Sequence, residues 1–217
     1  MGASEVIAKT VEMIRDKFLN EGSGHDWWHI WRVWQLAKRI GLEEKADLLI
    51  VELAALLHDI ADWKANDGDI KAGGRVSKMW LESIGVEEEV ITKVVEIVDN
   101  VSYKGAGVVD KMDTLEGQVV QDADRLDAMG AIGIGRVFMY GGNKGREMYD
   151  PNSKVVDTKD FETYKRAGQT SINHFYEKLL LLKDRMHTQT GKKLAHKRHQ
   201  YMEKYLDEFY AEWKGER

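Results

Sequence analysis

Apolar residues recur at helical spacing over most of this chain, and the breaks between the runs mark out its elements. From Ser4 to about Leu19, Val6, Ile7, Val11, Ile14 and Phe18 share one face, which predicts a first helix with Ser4 as its cap. Asn20-Glu21-Gly22-Ser23-Gly24 ends it. A second helix is expected from near Asp26, its N-cap, with Ile30, Val33, Ala37 and Ile40 on one face, His29 at that face's edge and Gly41 at its close. Between Glu43 and about His58 the apolar residues Leu48, Leu49, Val51, Leu53, Ala54, Leu56 and Leu57 cover most of the circumference, the pattern of a central, fully packed helix.

Asp62 to Gly74, with three glycines and several acids, reads as a loop. Helices are predicted at about Arg75 to Ser83, at Val86 to Val98, and from Asp113-Thr114 to about Tyr140, the last running through Met129-Gly130. A loop of about twenty residues from Gly141 to Phe161 holds the single proline and is long enough to suggest a lid or binding loop. Two helices joined near Thr188 to Gly191 end the chain. The 217 residues, 43% hydrophobic, suffice for one well-filled core, so a single all-α domain is expected over 1–217, with a core region at about 20–140 and C-terminal helices at about 160–213 packed on it.

Composition narrows the chemistry. With no cysteine, disulfides, thiolate metal sites and cysteine nucleophiles are excluded, and a reducing, cytoplasmic setting is expected. No segment has the apolar length of a membrane span, so no membrane partner is expected. A formal charge of −5 argues against nucleic acid as a partner, because affinity for polyanions rests on clustered lysine and arginine. An anionic small molecule would need a local basic rim. Oligomeric state is not legible.

The pair His58-Asp59, at the end of LIVELAALLHDIADW, places an imidazole and a carboxylate together beside a buried helix. His29 in HDWWHIWRV and Asp124 in VVQDADRLDAMGA supply a second nitrogen and a second carboxylate, in the order His, His-Asp, Asp that a mononuclear metal centre needs. Each residue alone has an ordinary reading: a hydrogen-bonded core histidine, a helix-breaking aspartate, a solvated helix carboxylate. Their joint occurrence in matching contexts favours metal. Two neutral nitrogens and two anionic oxygens leave positions open on an octahedral ion, which suits one divalent Mn, Mg, Co, Ni or Fe(II) better than a closed zinc site.

These residues resemble the HD superfamily of metal-dependent phosphohydrolases, and HDWWHIWRV, HDIADW and DADRLDAMGAIG are most similar to a small bacterial branch of single-domain HD hydrolases. The resemblance implies an all-α HD-domain helical bundle. It also implies that Asp62, one turn beyond the pair, activates the attacking water or relays its proton. Relatives in this branch hydrolyse nucleoside triphosphates to monophosphate and pyrophosphate, so a nucleotide pyrophosphohydrolase is expected. The alternatives are a nucleoside 5′-monophosphatase and a non-catalytic nucleotide- or metal-binding sensor. HD proteins with two metals carry further histidines before the last aspartate, and none stands between His58 and His174. A single ion is expected.

Further candidates surround this set. Asp127, three residues after Asp124, suits a bond to a ligand histidine or a substrate hydroxyl, or an ion pair with Arg125. His25 suits a pocket position, and Arg32 a phosphate contact or a pair with Asp124. Lys104, Arg125, Lys178 and Arg198 are the candidate basic rim, His174 a substrate contact or a core histidine. Asp67 and Asp69 are loop acids, a second acid in some HD nucleotidases. Trp27, Trp28, Trp31 and Trp34 are expected mostly in the core, and His196 and His199 on an exposed basic face. The glycines of MGAIGIG follow no strand, which excludes a dinucleotide fingerprint and points to close helix packing.

Overall fold

The computed structural model describes residues 2–19, 26–61, 69, 71–101, 112–157 and 170–217. Among these are nine α-helices and a short 3-10 helix, and the sole β pairing is an isolated parallel bridge between Glu147 and Thr170. The all-α expectation holds. Within the described residues no helix is long and apolar enough to cross a membrane. They fall into two compact units, one up to residue 124 and one from residue 125 onward.

The first unit is built around the central helix. α1 (Ala3–Phe18), α2 (Trp27–Glu44) and α3 (Leu48–Leu57) are followed by α4 (Ala72–Ser83), α5 (Glu88–Asn100) and α6 (Leu115–Asp127). Every residue of α3 from Ile50 to Leu57 is buried, and α1, α2 and α5 all pack on it. At about 1.5–3 kcal/mol for each fully buried large aliphatic side chain, this helix is the main hydrophobic anchor of the unit.

Several boundaries differ from the sequence expectation, each for a local reason. Ser4 lies inside α1, whose N-cap is Gly2. Gly41 does not end α2: the helix runs to Glu44 and stops at Lys45, which takes the left-handed conformation at φ 62°. A Cβ on Gly41 would stand 3.1 Å from Leu48 Cδ2, so this glycine serves the close approach of α2 and α3. The helix expected from Glu43 begins only at Leu48, after Asp47 has capped it by accepting from the Leu49 and Ile50 N–H groups at 3.0 and 3.4 Å. α4 starts earlier than Arg75, because Gly73 and Gly74 belong to it. A Cβ on Gly74 would lie 2.4 Å from Asp99 Oδ1 on α5, so that glycine permits the α4–α5 contact.

The long helix expected from Asp113 to Tyr140 is two helices. α6 ends at Asp127, and α7 (Gly130–Asn143) begins at Gly130, whose φ of 71° is a left-handed value. Residues 125–127, at the end of α6, already belong to the second unit. There α7 packs on α8 (Ser171–Glu177) and α9 (Gln189–Trp213), with the 3-10 helix Leu179–Arg185 between the last two. Close packing by the MGAIGIG glycines is seen at Gly130, where a Cβ would stand 3.1 Å from Arg198 Cγ. Thr188 caps α9 by accepting from Gly191 N at 2.9 Å. Phe138, Phe175 and Tyr205 cluster with ring centroids 5.9–6.2 Å apart, joining α7, α8 and α9.

Gly130 therefore meets two demands, a left-handed backbone and a contact with the Arg198 stem. Gly130→Ala is expected to cost about 1–3 kcal/mol, the usual penalty for forcing a side chain into that region. Gly135→Ala, inside α7 with open space around its Cα, is expected to be neutral or to gain up to about 1 kcal/mol from helix propensity. Urea denaturation midpoints decide this, and equal midpoints for the two variants contradict it.

Candidate metal centre

Four side chains converge at the end of the central helix. His29 is the third residue of α2, set by the Asp26 cap, whose Oδ1 accepts from His29 N at 2.8 Å. His58 follows the last residue of α3 and still has helical angles (φ −57°, ψ −31°), after which Ile60 N bonds back to Leu57 O at 3.0 Å and turns the chain. That turn carries Asp59. Asp124 comes from α6, whose buried face is Val119, Val120 and Ala123 and whose Gln121 amide donates to Val101 O at 3.2 Å.

The geometry is tight. His29 Nε2 and His58 Nε2 are 3.2 Å apart; Asp59 Oδ2 is 3.2 Å from the first and 3.4 Å from the second. Asp124 Oδ1 approaches the same nitrogens at 3.6 and 3.9 Å. Both imidazoles are 2% exposed, whereas the carboxylates of Asp59 and Asp124 are 14% and 28% exposed. The nitrogens thus form the floor of the cluster, and its open side is lined by the carboxylates.

Hydrogen bonding shows what this donor set fits. His58 Nδ1 lies 2.8 Å from Ala55 O. A carbonyl only accepts, so Nδ1 carries the proton and Nε2 turns a lone pair toward the cluster. Around that point stand another imidazole nitrogen and two carboxylates. A proton on His29 Nε2 would serve one of these acceptors, whereas a cation among them would serve all. Ligands about 2.1 Å from one ion stand roughly 3.0–3.4 Å from one another in octahedral or tetrahedral geometry, and the closest separations here fall in that range. The Ala55 carbonyl is the kind of outer partner that orients a ligand histidine. No sequence motif points to it, because the contact belongs to the backbone of the helix end.

The other candidates are placed as follows. His25, Asp62, Asp67 and Lys104 lie outside the described residues. Arg32 is half-buried on α2, one turn after His29. Asp69 is held by Arg75 and by Lys71 N at 2.9 Å; the hydrogen bond from Arg75, then that from Lys71, keeps its carboxyl below the ordinary value. Asp127 is 1% exposed and paired with Arg136 Nη1 at 2.7 Å. Arg125 is buried: its guanidinium donates to Arg185 O and stands 3.2 Å from His187 Nε2, which removes it from an exposed basic rim. Arg198 donates to Leu126 O, near the end of α6. His174 and Lys178 are half-buried at the two ends of one turn of α8, the Lys178 N–H bonding His174 O at 3.1 Å.

Two expectations about surroundings are corrected. Among the tryptophans, Trp27 is buried, but Trp28 and Trp31 are 56% and 40% exposed, since the α2 stripe that packs on α3 is already filled by Ile30, Val33, Ala37 and Ile40. Trp34 is half-buried, its Nε1 donating to Glu52 at 2.8 Å. His199 is buried, whereas His196 is exposed, because His196 sits about 60° further round α9 and only His199 shares the inward face of Ala195, Met202 and Leu206.

The HD-domain family model matches residues 27–129, a span that contains His29, His58, Asp59 and Asp124. YpgQ of Bacillus subtilis is 42% identical over 188 residues, covering 86% of this chain and 83% of that protein. An HD-superfamily hydrolase from Bacillus thuringiensis superposes with a TM-score of 0.77 at 42% identity, covering 98% of this chain and 99% of the other. The crystal structure of YpgQ in complex with ADP superposes with a TM-score of 0.76 at 37% identity over 95% and 97% of the two chains. This chain belongs to the HD superfamily of hydrolases.

Substitution separates a metal cluster from a merely hydrogen-bonded one. His58→Ala and Asp59→Ala are each expected to abolish stoichiometric divalent-metal binding while the far-ultraviolet circular dichroism stays helical. Metal content of the purified proteins is the readout, and full occupancy in both variants would exclude the cluster as a metal site.

Proposed function

We propose that this protein is a metal-dependent phosphohydrolase that holds one divalent ion on His29, His58, Asp59 and Asp124 and cleaves nucleoside triphosphates to nucleoside monophosphate and pyrophosphate. The observation that carries the metal reading is the convergence of two imidazole nitrogens and two carboxylates, with the lone pair of His58 turned inward by the Ala55 carbonyl. A divalent cation bound there would polarise a phosphoryl oxygen and make a water more acidic. The nucleotide reading is supported by the relative YpgQ, crystallised in complex with ADP, and by the resemblance to the pyrophosphohydrolase branch.

The chain's residues have distinct tasks in this reading. His29 and His58, both buried, would hold the ion through their Nε2 atoms. Asp59 and Asp124 supply the negative charge and flank the open side, so an incoming phosphate ester needs compensating cations or amide donors. Arg32, Lys104 and Lys178 are proposed for that role, with His25 and His174 as neutral contacts. Arg198 and Asp127 belong to the same candidate set, although each is engaged within the protein, by the Leu126 carbonyl and by Arg136 respectively. Asp62 takes the proton of the attacking water as the water adds to the α-phosphorus and pyrophosphate departs.

Two measurements test this. Asp62→Asn is expected to keep its metal and lose about a hundredfold to ten-thousandfold in turnover, the usual worth of one general base; near wild-type turnover of the metal-loaded variant would make Asp62 structural. Hydrolysis of a nucleoside triphosphate in oxygen-labelled water is expected to put label into the nucleoside monophosphate and to release pyrophosphate. Free nucleoside and inorganic phosphate from a monophosphate, with triphosphates untouched, would identify a 5′-monophosphatase instead. Metal-dependent binding of nucleotides without turnover would identify a sensor.

A further inference from the structure

The His58-Asp59 pair can aim at one point only while the chain holds its turn at residues 58–61. The two residues are consecutive, so in a continuing helix their side chains would diverge by about 100°. This turn is held by a backbone bond from Ile60 N to Leu57 O, by the burial of the Ile60 side chain at 2% exposure, and by a side chain from another helix: Lys17 of α1 donates from Nζ to Ile60 O at 2.7 Å. That carbonyl sits just past the C-terminal end of α3, where backbone carbonyls lack intrahelical partners and a cation is favoured. The Lys17 ammonium also lies 5.6 Å from the centroid of the neighbouring Phe18 ring, and Phe18 is buried, so the end of α1 from which Lys17 reaches is itself anchored.

We propose that Lys17 is a positioning residue for the metal centre: by holding the Ile60 carbonyl it fixes the turn that places Asp59 beside His58 and His29. The inference rests on the metal reading above. It assigns a role to a residue of the first helix, 12 positions before the first candidate ligand and outside the span matched to the HD domain. In sequence Lys17 is an ordinary solvated lysine in the last turn of an amphipathic helix. Its reach to residue 60 exists because α1 packs along α3.

The direction of the effect separates positioning from electrostatics. Removing a positive charge from the neighbourhood of a dication tightens cation binding, so a purely electrostatic Lys17 would weaken the site. A Lys17 that holds the turn does the opposite, and its loss weakens binding. The test is manganese affinity, by calorimetric titration of the full-length protein at a temperature where every variant is folded by circular dichroism. Lys17→Met is expected to bind manganese about tenfold or more weakly, the usual cost of losing an outer-sphere partner, and Lys17→Arg, which keeps donor and charge, to bind within about twofold of wild type. Equal or tighter binding by Lys17→Met overturns the proposal, as does equal loss in Lys17→Arg. If Lys17→Met does not fold, Lys17→Gln, which keeps a shorter neutral donor, is read by the same criterion. Failure of wild-type protein to bind manganese or any other divalent metal would overturn the metal reading itself, a result distinct from wild-type binding that Lys17→Met leaves unchanged.

Discussion

The whole candidate site depends on burying α3. A ten-residue helix whose residues from Ile50 to Leu57 are all out of water has little freedom to shift along its axis, since every displacement exposes apolar area or overlaps a neighbour. Its C-terminal end is therefore a defined point in the first unit, and His58 sits there with its Nδ1 already spoken for by Ala55 O. α2 reaches the same point through Gly41, whose missing side chain lets the Leu48 methyl approach, and through the Asp26 cap that starts the helix three residues before His29. The precision at the cluster comes from packed helices rather than from contacts among the polar groups.

That order of causes explains why the cluster is costly without a cation. The His29 and His58 Nε2 atoms lie 3.2 Å apart, with Asp59 Oδ2 at 3.2–3.4 Å and Asp124 Oδ1 at 3.6–3.9 Å from them, and two carboxylates beside the two rings are an arrangement that a cation relieves. The packed helices around α3 hold these groups together. The same logic distinguishes this cluster from the exposed ion pairs of the surface, such as Lys93 with Glu89 or Lys78 with Glu88, where solvent screens the charges and nothing forces the approach.

In the second unit the buried polar residues do a different job. Arg136 on Asp127 and Arg198 on the Leu126 carbonyl act on the last residues of α6, and Arg125, itself in the last turn of α6, donates to the Arg185 carbonyl at the end of the 3-10 helix. A helix ending at Asp127 and restarting at Gly130 leaves a carbonyl and a carboxylate that need donors, and Arg198 and Arg136 supply them. Of the residues that look like a rim for an anionic substrate, Arg125 and Arg198 donate to the protein's own backbone.

The sequence alone determined the helical class, the run that becomes the central helix and the four residues that meet at its end. Those properties are written in local periodicity and in residue types whose pairing at one site is rare by chance. Where the expectation departed from the structure, the deciding force was a partner distant in sequence. Gly41 looks like a helix stop and Gly73 and Gly74 like loop residues, and all three are instead points of close approach, because only the packed neighbour shows what a side chain there would strike. The helix expected from Asp113 to Tyr140 is divided at Gly130, where a left-handed backbone and the Arg198 stem make a corner that continuous helical periodicity does not reveal. Arg125 and His199 read as surface groups because charge suggests solvent, and the fold buried the first against the Arg185 carbonyl and placed the second on an inward stripe. Tertiary structure alone decided the reach of Lys17 to Ile60, which exists because α1 packs on α3, while the tautomer of His58 follows from a backbone carbonyl at the helix end that no side-chain pattern records.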